Sequence, residues 1–381
     1  VKIALVILHA DVARGGAERY TLDLAGSLVE RGHEVSILAS SFQSDPTAGR
    51  RVLLAADGAT RTRRYLRFLD SLDVELDRVG YDIVHAMLPV RRCHVYHPHA
   101  GIAAEAMTAG HLAKSGAAQQ ALAWAGNRFN VRRRRFAAVE RGLLESPRPP
   151  VVLCLSRLIQ AVVSRHYPDL PREKLVALFN GIDLKKFDPS IHREARKQVR
   201  ARFGIDESAV VGLMLAQDFE RKGLGQAIEA LARIENPKMI LLVGGKPDPA
   251  KYRSLAGRLG VENRVVFAGP VSDPVSFYQS SDFFVLPTRF DPCSLVVLEA
   301  LAMGLPVIST VKNGACEVME DGVHGRVLAD PDDIPALTAA MLEVADSARR
   351  TGMADACLAL RPRVSQESHL SQLEQVYRSI L

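Results

Sequence analysis

The sequence predicts an α/β protein of two doubly wound parallel-sheet domains, and three observations predict it. Short apolar, β-branched runs alternate with segments of helical periodicity from the first residues onward. The same alternation restarts near residue 209, after a turn-rich and charged interval. A chain of 381 residues with 48% hydrophobic content suits two cores of roughly 150–200 residues each better than one.

In the first half, residues 2–8 (KIALVIL), 34–39 (EVSILA), 82–87 (DIVHAM) and 151–155 (VVLCL) read as buried parallel strands. Between the first two, Ala17, Tyr20, Thr21, Leu24, Ala25 and Leu28 recur at helical spacing. Residues 103–145 break the rhythm: they are helix-rich and Ala-rich, show no strand, and carry Arg128 and then Arg132-Arg133-Arg134-Arg135, so they read as a helical insertion. The second half runs through strands at 209–215 (AVVGLML), 238–245, 264–269, 283–287 and 305–309. Asn180-Gly181-Ile182-Asp183 is a turn cluster followed by a charged helix around 192–203, which places the boundary there and gives domains 1–178 and 179–363. The last segment, 364–381, puts Leu370, Leu373, Val376, Tyr377 and Ile380 on one helical face, so it is expected to pack back onto the first domain.

Bulk properties narrow the function classes. Basic residues number 49 against 43 acidic ones, and the formal charge of +6 implies only mild attraction to phosphates or acidic headgroups. Cys93, Cys154, Cys293, Cys316 and Cys357 are scattered, odd in number and without CxxC spacing, which argues against a disulfide framework or zinc site and for a reducing cytoplasm. The opening apolar run Ile3–Leu8 is too short for a signal sequence and ends at His9 and Asp11. No apolar stretch approaches the roughly 20 residues that span a bilayer. The expectation is a cytoplasmic protein, soluble or peripheral on the inner face of the plasma membrane.

Four segments carry chemistry. Gly15-Gly16-Ala17-Glu18 follows the first strand and opens a helix. Glycines there let a ligand approach the backbone and helix N-terminal amides favour phosphate or carboxylate oxygens, although Gly-Gly at such a turn also serves simple tight-turn chemistry. Phe219-Glu220-Arg221-Lys222-Gly223 follows the strand 209–215. Adjacent cations at the C-terminal end of a parallel strand sit where open α/β sheets bind ligands. Arg offers a planar fork to diphosphate oxygens and Lys a mobile charge, with a solvated loop pair as the plainer alternative.

The third segment, Asp291-Pro292-Cys293-Ser294-Leu295-Val296-Val297-Leu298-Glu299, joins the strand 283–287 to a helix over about 294–303. A loop entering a helix leaves free amides, here at 293–296. Glu299 lies one turn inside, among Leu295, Val296, Leu298 and Leu301. A carboxylate among aliphatic side chains needs a partner, and adjacent sugar hydroxyls are natural donors. Asp291 either reaches a second sugar or simply caps the helix. In the fourth segment, Cys93 to Gly101, His94, His97 and His99 crowd an extended stretch whose alternating residues share a face. That geometry allows a metal, but no carboxylate or cysteine completes a ligand set, and none is expected.

Together these segments resemble glycosyltransferase family 4, whose GT-B fold has two Rossmann-like doubly wound domains facing a central cleft. Asp291 and Glu299 match its two acids, which have seven residues between them. Gly15-Gly16-Ala17-Glu18, Arg31-Gly32-His33-Glu34-Val35, Asn180-Gly181-Ile182-Asp183, Arg221-Lys222-Gly223 and Ala302-Met303-Gly304-Leu305-Pro306-Val307 fall in family order along almost the whole chain. The segment 218–223 and the long insertion are most similar in form to the bacterial lipopolysaccharide-core glucosyltransferases of that family.

The resemblance implies a retaining, metal-independent transfer of a hexose, glucose from UDP-glucose, to a saccharide or lipid-linked saccharide such as lipopolysaccharide core. It assigns the donor sugar to Asp291, the sugar and phosphates to Cys293, Ser294 and Leu295, and the ribose to Glu299. Arg221 and Lys222 would neutralise the departing diphosphate, Gly269 and Val271 would flank the base, and Gly15 and Gly16 would approach the donor. Glu18, His97 and Asn180 fall on the acceptor side. A polar residue holding the transferred sugar belongs in the loop before Ala100-Gly101, with His99 the best match and His97 the second.

No cofactor is implied and no DxD metal pair presents itself: Asp248 lies in a Lys-Pro-Asp-Pro turn, and Asp330, Asp332 and Asp333 lie in a capping loop. Asp replaces the usual Glu at 291 and Cys293-Ser294 replaces the usual Phe-Gly. Both departures bear on which sugar is held. The alternatives are a non-catalytic nucleotide-sugar-binding α/β protein and a nucleotide-sugar epimerase of the same architecture. For the arginines of the insertion, nucleic-acid binding would want interleaved aromatics, and only Phe129 and Phe136 flank them. A basic helix with Leu122, Trp124 and Phe129 nearby suits an anionic membrane surface, and a solvated loop is the other reading.

Overall fold

The computed structural model describes residues 1–12, 14–43, 48–99, 101–108, 130–191 and 194–381. The chain divides into two units, Val1–Phe179 with His369–Leu381, and Asn180–Ser368. Each is built on its own parallel sheet.

In the first unit β1 (Lys2–Val6), β2 (Glu34–Ala39), β3 (Arg50–Leu53), β4 (Ile83–Ala86), β5 (Val95–Tyr96), β6 (Val151–Cys154) and β7 (Leu175–Ala177) pair in the order β3-β2-β1-β4-β5-β6-β7. The central strand β1 is in register with both neighbours, Ile3 opposite Val35 on one side and Ile83 on the other. Buried on both faces, it needs the unbroken apolar run that it has. The helix Gly16–Glu30 buries Tyr20, Thr21, Leu24, Ala25 and Leu28, so the expected helical stripe is the face that meets the sheet. Leu370, Leu373 and Tyr377 of the helix Gln366–Ile380 join the same core as Ile3, Leu5 and Leu28. At about 25 cal/mol per Å² of apolar surface, each such side chain contributes roughly 1.5–3 kcal/mol.

Strands β3, β5 and β7 have no counterpart in the sequence reading. They are two to four residues long, too short for a periodicity to register, and β3 is an exposed edge rich in arginine. Of the insertion, Ala103–Thr108 and Val131–Leu144 are helical. Leu122, Trp124, Arg128 and Phe129 lie outside the described residues. No helix among the described residues is long and apolar enough to cross a membrane.

The second unit repeats the plan with β8 (Val210–Leu215), β9 (Met239–Gly244), β10 (Val265–Gly269), β11 (Phe283–Val285), β12 (Val307–Thr310) and β13 (Gly325–Leu328), in the order β10-β9-β8-β11-β12-β13. The helix Ala195–Arg202 is tied to this sheet by the fully buried Arg200. Its guanidinium donates to Asp282 Oδ2 at 2.9 Å, to the Ser280 carbonyl at 2.9 Å and to the Ala209 carbonyl at 3.0 Å. A buried cation is tolerable when its donors are satisfied in this way.

Candidate active site

In each sheet the strand order reverses beside the first strand, between β1 and β4 and between β8 and β11. Loops leaving such neighbours diverge and open a crevice at the strands' carboxyl ends, where ligands of open α/β sheets bind. Gly15, Gly16 and Glu18 follow β1, and Arg221, Lys222 and Asp291 lie in the loops after β8 and β11, at these two places; the other sequence-predicted residues lie on neighbouring loops and helices.

In the second unit, the loop after β8 carries Arg221 and Lys222, and the loop after β11 carries Asp291. Lys222 Nζ pairs directly with Asp291 Oδ2, both side chains being almost wholly buried. Burial pushes the Lys222 ammonium below its usual range, and Asp291 draws it back up. Arg221 is half-buried and stitches the two loops together: its Nη1 donates to the Phe290 carbonyl at 2.8 Å, and its own carbonyl accepts from Arg289 N at 2.9 Å. Gly223 makes this approach possible. It has φ 81°, and a Cβ there would lie 2.2 Å from the Pro287 carbonyl oxygen, so only glycine fits.

Asp291 does not cap the following helix, Leu295–Ala302. Ser294 occupies the N-cap, without a side-chain bond of its own. The expectation of four free amides at 293–296 needs correction as well. Cys293 N donates to Asp291 Oδ1 at 3.2 Å and Ser294 N to Asn313 Oδ1 at 3.3 Å. Side chains already satisfy the first two donors, which leaves the amides of Leu295 and Val296 without a hydrogen-bond partner among the described residues. Asn313 gives no signal in the sequence. It sits in the loop after β12, fully buried, its amide nitrogen held by Ser309 Oγ at 3.1 Å.

Glu299 is buried as expected, but its donor is a protein group: Tyr278 Oη donates to Oε2 at 2.7 Å. Tyr278, on the helix Pro274–Ser280, gives no local signal either, since an aromatic in a short amphipathic helix reads as core. Burial raises the pKa of the Cys293 thiol, and the neighbouring Asn180 backbone partly offsets that rise. The Asn180 side-chain oxygen is buried without a partner among the described residues. Asn180 thus sits in the second unit beside the helix entry. Gly269, with φ 73°, ends β10, and its carbonyl accepts from Gly245 N at 2.8 Å. Val271 closes over Gly244, where a Cβ would meet Val271 Cγ2 at 2.6 Å.

In the first unit, Gly15, Gly16 and Glu18 stand after β1 at the start of the helix Gly16–Glu30, with Gly16 exposed. The three histidines around β5 do not share a face. His94 is exposed, its Nδ1 accepting from Val84 N at 2.9 Å. His97 and His99 turn inward against Tyr20, with ring centroids 5.3 Å and 4.2 Å from it. There they meet His85 of β4 and His369 of the closing helix. Burial holds all four imidazoles neutral, with repulsion from neighbouring imidazoles adding to it at His85, His97 and His99: His99 is lowered to about 3, His369 to about 4, and His85 and His97 fall well below their usual value. Sequence spacing exposes only two of these histidines, because the other two come from separate elements. Arg132, Arg133, Arg134 and Arg135 are exposed on the first turns of Val131–Leu144.

Two Rossmann-like units, one with cations and carboxylates meeting at its switch point, define the class of GT-B glycosyltransferases. The chain belongs to it. Residues 14–186 match the family described as Glycosyltransferase Family 4, and residues 209–347 match Glycosyl transferases group 1. Lipopolysaccharide glucosyltransferase WaaG of Escherichia coli is 27% identical over 322 residues, which are 83% of this chain and 82% of that protein. Lipopolysaccharide core biosynthesis glycosyltransferase LpsE of Rhizobium meliloti is 35% identical over 157 residues, 41% of this chain and 46% of its own. The crystal structure of WaaG, a glycosyltransferase involved in lipopolysaccharide biosynthesis, superimposes with a TM-score of 0.80 at 24% identity, covering 96% of this chain and 98% of that one. That likeness shows the fold.

Proposed function

We propose that the chain transfers a hexose, glucose from UDP-glucose, to a saccharide or lipid-linked saccharide such as lipopolysaccharide core, with the anomeric configuration retained. The observation that carries the reading is the meeting of Arg221, Lys222 and Asp291 at the β8/β11 switch point, next to the buried Glu299. Two cations and free helix amides suit a diphosphate, and a buried carboxylate oriented by Tyr278 suits vicinal ribose hydroxyls. The sugar preference draws support from the relatives, which include a lipopolysaccharide glucosyltransferase.

In this reading the acceptor hydroxyl attacks the anomeric carbon from the face the leaving group departs. The bond from that carbon to the phosphate oxygen breaks as the new glycosidic bond forms, and the acceptor proton passes to a leaving phosphate oxygen. Arg221, Lys222 and the amides of Leu295 and Val296 take up the developing charge, the task a divalent ion performs elsewhere, so neither resident metal nor cofactor is required. Asp291 contacts the transferred sugar, Gly269 and Val271 flank the base, and Cys293 and Ser294 shape the sugar's side of the loop. In the first unit, Gly15 and Gly16 approach the donor, His99 or His97 holds the sugar, and Glu18 lies toward the acceptor, with Asn180 of the second unit. The exposed arginines of the helix Val131–Leu144 would meet an anionic cytoplasmic membrane surface, where a lipid-linked acceptor resides.

A panel of UDP-, GDP- and ADP-sugars, assayed for slow hydrolysis with EDTA present, tests the reading. One donor, UDP-glucose, is expected to turn over, and Glu299→Ala should lower kcat/KM at least about tenfold, the loss of a buried charge-assisted contact. Failure to bind or turn over any donor would overturn it.

A further inference from the structure

Arg132 is more than one member of an arginine run, because a ring stack fixes its place. Tyr65 of the helix Arg61–Val79 stacks on Phe136 of the helix Val131–Leu144, with ring centroids 4.1 Å apart and planes 19° from parallel. Arg61 and Arg132 each stand four residues before a stacked ring, so each lies one turn back on the face that meets the other helix. The Arg132 guanidinium lies over the Phe136 ring, 5.2 Å from its centroid. Two cations thus meet at the first turns of adjoining helices.

Arg14, in the loop after β1, is the third. In that loop His9 is lowered by burial first and then by Arg14 and Arg132, with Asp11 opposing them. Arg132 is itself held below its usual range, by burial first and then by Arg61 and Arg14. A loop and two helix starts therefore bring three guanidiniums into one another's field. All three side chains are exposed, and none has a carboxylate partner among the described residues.

The fold does not require this convergence. Helix starts disfavour cations. Thr60 and Asn130 already cap the two helices, accepting from Arg63 N and Arg133 N at 3.1 Å each. Like charges gathered in one place cost stability. Cations that cost stability and lack a counter-charge suit an anion that arrives from outside.

We propose that Arg14, Arg61 and Arg132 form a phosphomonoester-binding site in the first unit, the phosphate being borne by a soluble saccharide or by a lipid headgroup. Such a group carries about −1.5 to −2 charges and three strong acceptor oxygens at pH 7, a match for three guanidinium forks. A phosphodiester, with a single charge and fewer free oxygens, uses the set less fully. The cations rather than a helix dipole recognise the anion. At the start of the helix Gly16–Glu30, Glu18 Oε2 already lies 3.3 Å from where a Cβ on Gly15 would stand.

Isothermal titration calorimetry of the full chain at low ionic strength, with glucose 6-phosphate against glucose, reads the site directly. Saturable binding of the phosphate ester alone is expected. Arg14→Gln, Arg61→Gln and Arg132→Gln should each weaken it at least about tenfold, the loss of a charge-assisted contact. Arg63→Gln, two residues along the same helix and on its other side, should bind as wild type. Arg61→Gln without ligand should melt no lower than wild type, since it relieves repulsion.

Vesicle flotation separates the two sources. Retention on phosphatidic acid above phosphatidylglycerol, lost in Arg61→Gln, places the group on a lipid. Binding of glucose 6-phosphate without that preference places it on a soluble saccharide. Neither saturable binding of glucose 6-phosphate nor a preference for phosphatidic acid would overturn the proposal. So would an equal loss in Arg63→Gln, the behaviour of a diffuse positive surface. Neither measurement involves turnover, so failure of glycosyltransfer with every donor would leave this site standing.

Discussion

Lys222 and Asp291 are each nearly inaccessible, and neither is stable there alone. Taking an ammonium and a carboxylate out of water costs several kcal/mol per ion, which their contact offsets only while both are charged. The depressed basicity of Lys222 is the sign of that tension: burial lowers it and Asp291 raises it. Asp291→Asn keeps the shape and the acceptor for Cys293 N but strands the ammonium. We expect it to lower stability by about 2–4 kcal/mol in urea unfolding. The double variant Asp291→Asn with Lys222→Met should recover most of the loss, since it removes both charges. An unaltered midpoint in the single variant would mean that the pair is solvated and dispensable. In the proposed reaction this pair is where an arriving diphosphate competes for Lys222, so Asp291 answers for two duties, the sugar and the resting lysine.

The helix Val131–Leu144 has two characters along its length. Its first turns expose Arg132 to Arg135, and its far half buries Glu140, Leu143 and Leu144. Glu140 accepts from Tyr96 Oη at 2.6 Å, Tyr167 Oη at 3.0 Å and the amides of Ala103 and Ala104 at 2.9 and 3.0 Å. One carboxylate thus secures β5 and the resumption of the chain just beyond the histidine loop. Four arginines at a helix N-terminus oppose the helix dipole, so local stability does not account for them. The anionic membrane surface proposed above would account for them. In vesicle flotation, phosphatidylglycerol-containing liposomes should retain the protein. Replacing Arg132–Arg135 by Gln should weaken retention at least about tenfold, given roughly 1 kcal/mol per basic residue at such a surface. Equal retention by neutral vesicles or by the variant would refute a membrane role.

Element by element, the long, doubly buried strands and the stripe of the helix Gly16–Glu30 are legible in the sequence, because an apolar period sustained over enough residues fits one kind of element and not the others. The short strands β3, β5, β7 and β13 are not legible, and neither are Glu140, Tyr278, Asn313 and His85 as partners. Each makes its defining contact with a residue between 12 and 44 positions away or in another loop. Spacing along the chain cannot report such pairings. The acids Asp291 and Glu299 can be found because a loop–helix junction keeps them eight positions apart on adjoining turns.

At the scale of the whole chain, the two units share a strand order yet differ in what acid does to them. The first unit buries His85, His97, His99 and His369, all with folded-state pKa values depressed below 6.5. A depressed pKa contributes stability that is present above the unfolded value and lost as pH falls toward the folded one. For His369, folded at about 4 against 6.5, the loss between pH 8 and pH 5 is about 2 kcal/mol. His85, His97 and His99 act in the same direction over the same window. Glu140, in the same unit, has a raised pKa through burial, so its contribution grows as pH falls through its folded value and is complete below the unfolded one near 4.5; it opposes the trend as one group against four histidines. The first unit should therefore open before the second as pH falls from 6.5 to 4.5. Hydrogen exchange read by mass spectrometry should show protection lost first in peptides from 1–179 and 369–381 while those from 180–368 persist. His369→Gln, which retains an amide acceptor for Tyr20, should move that opening to lower pH. Simultaneous opening of both units, or a shift in the other direction, would show that the histidine cluster does not govern acid sensitivity.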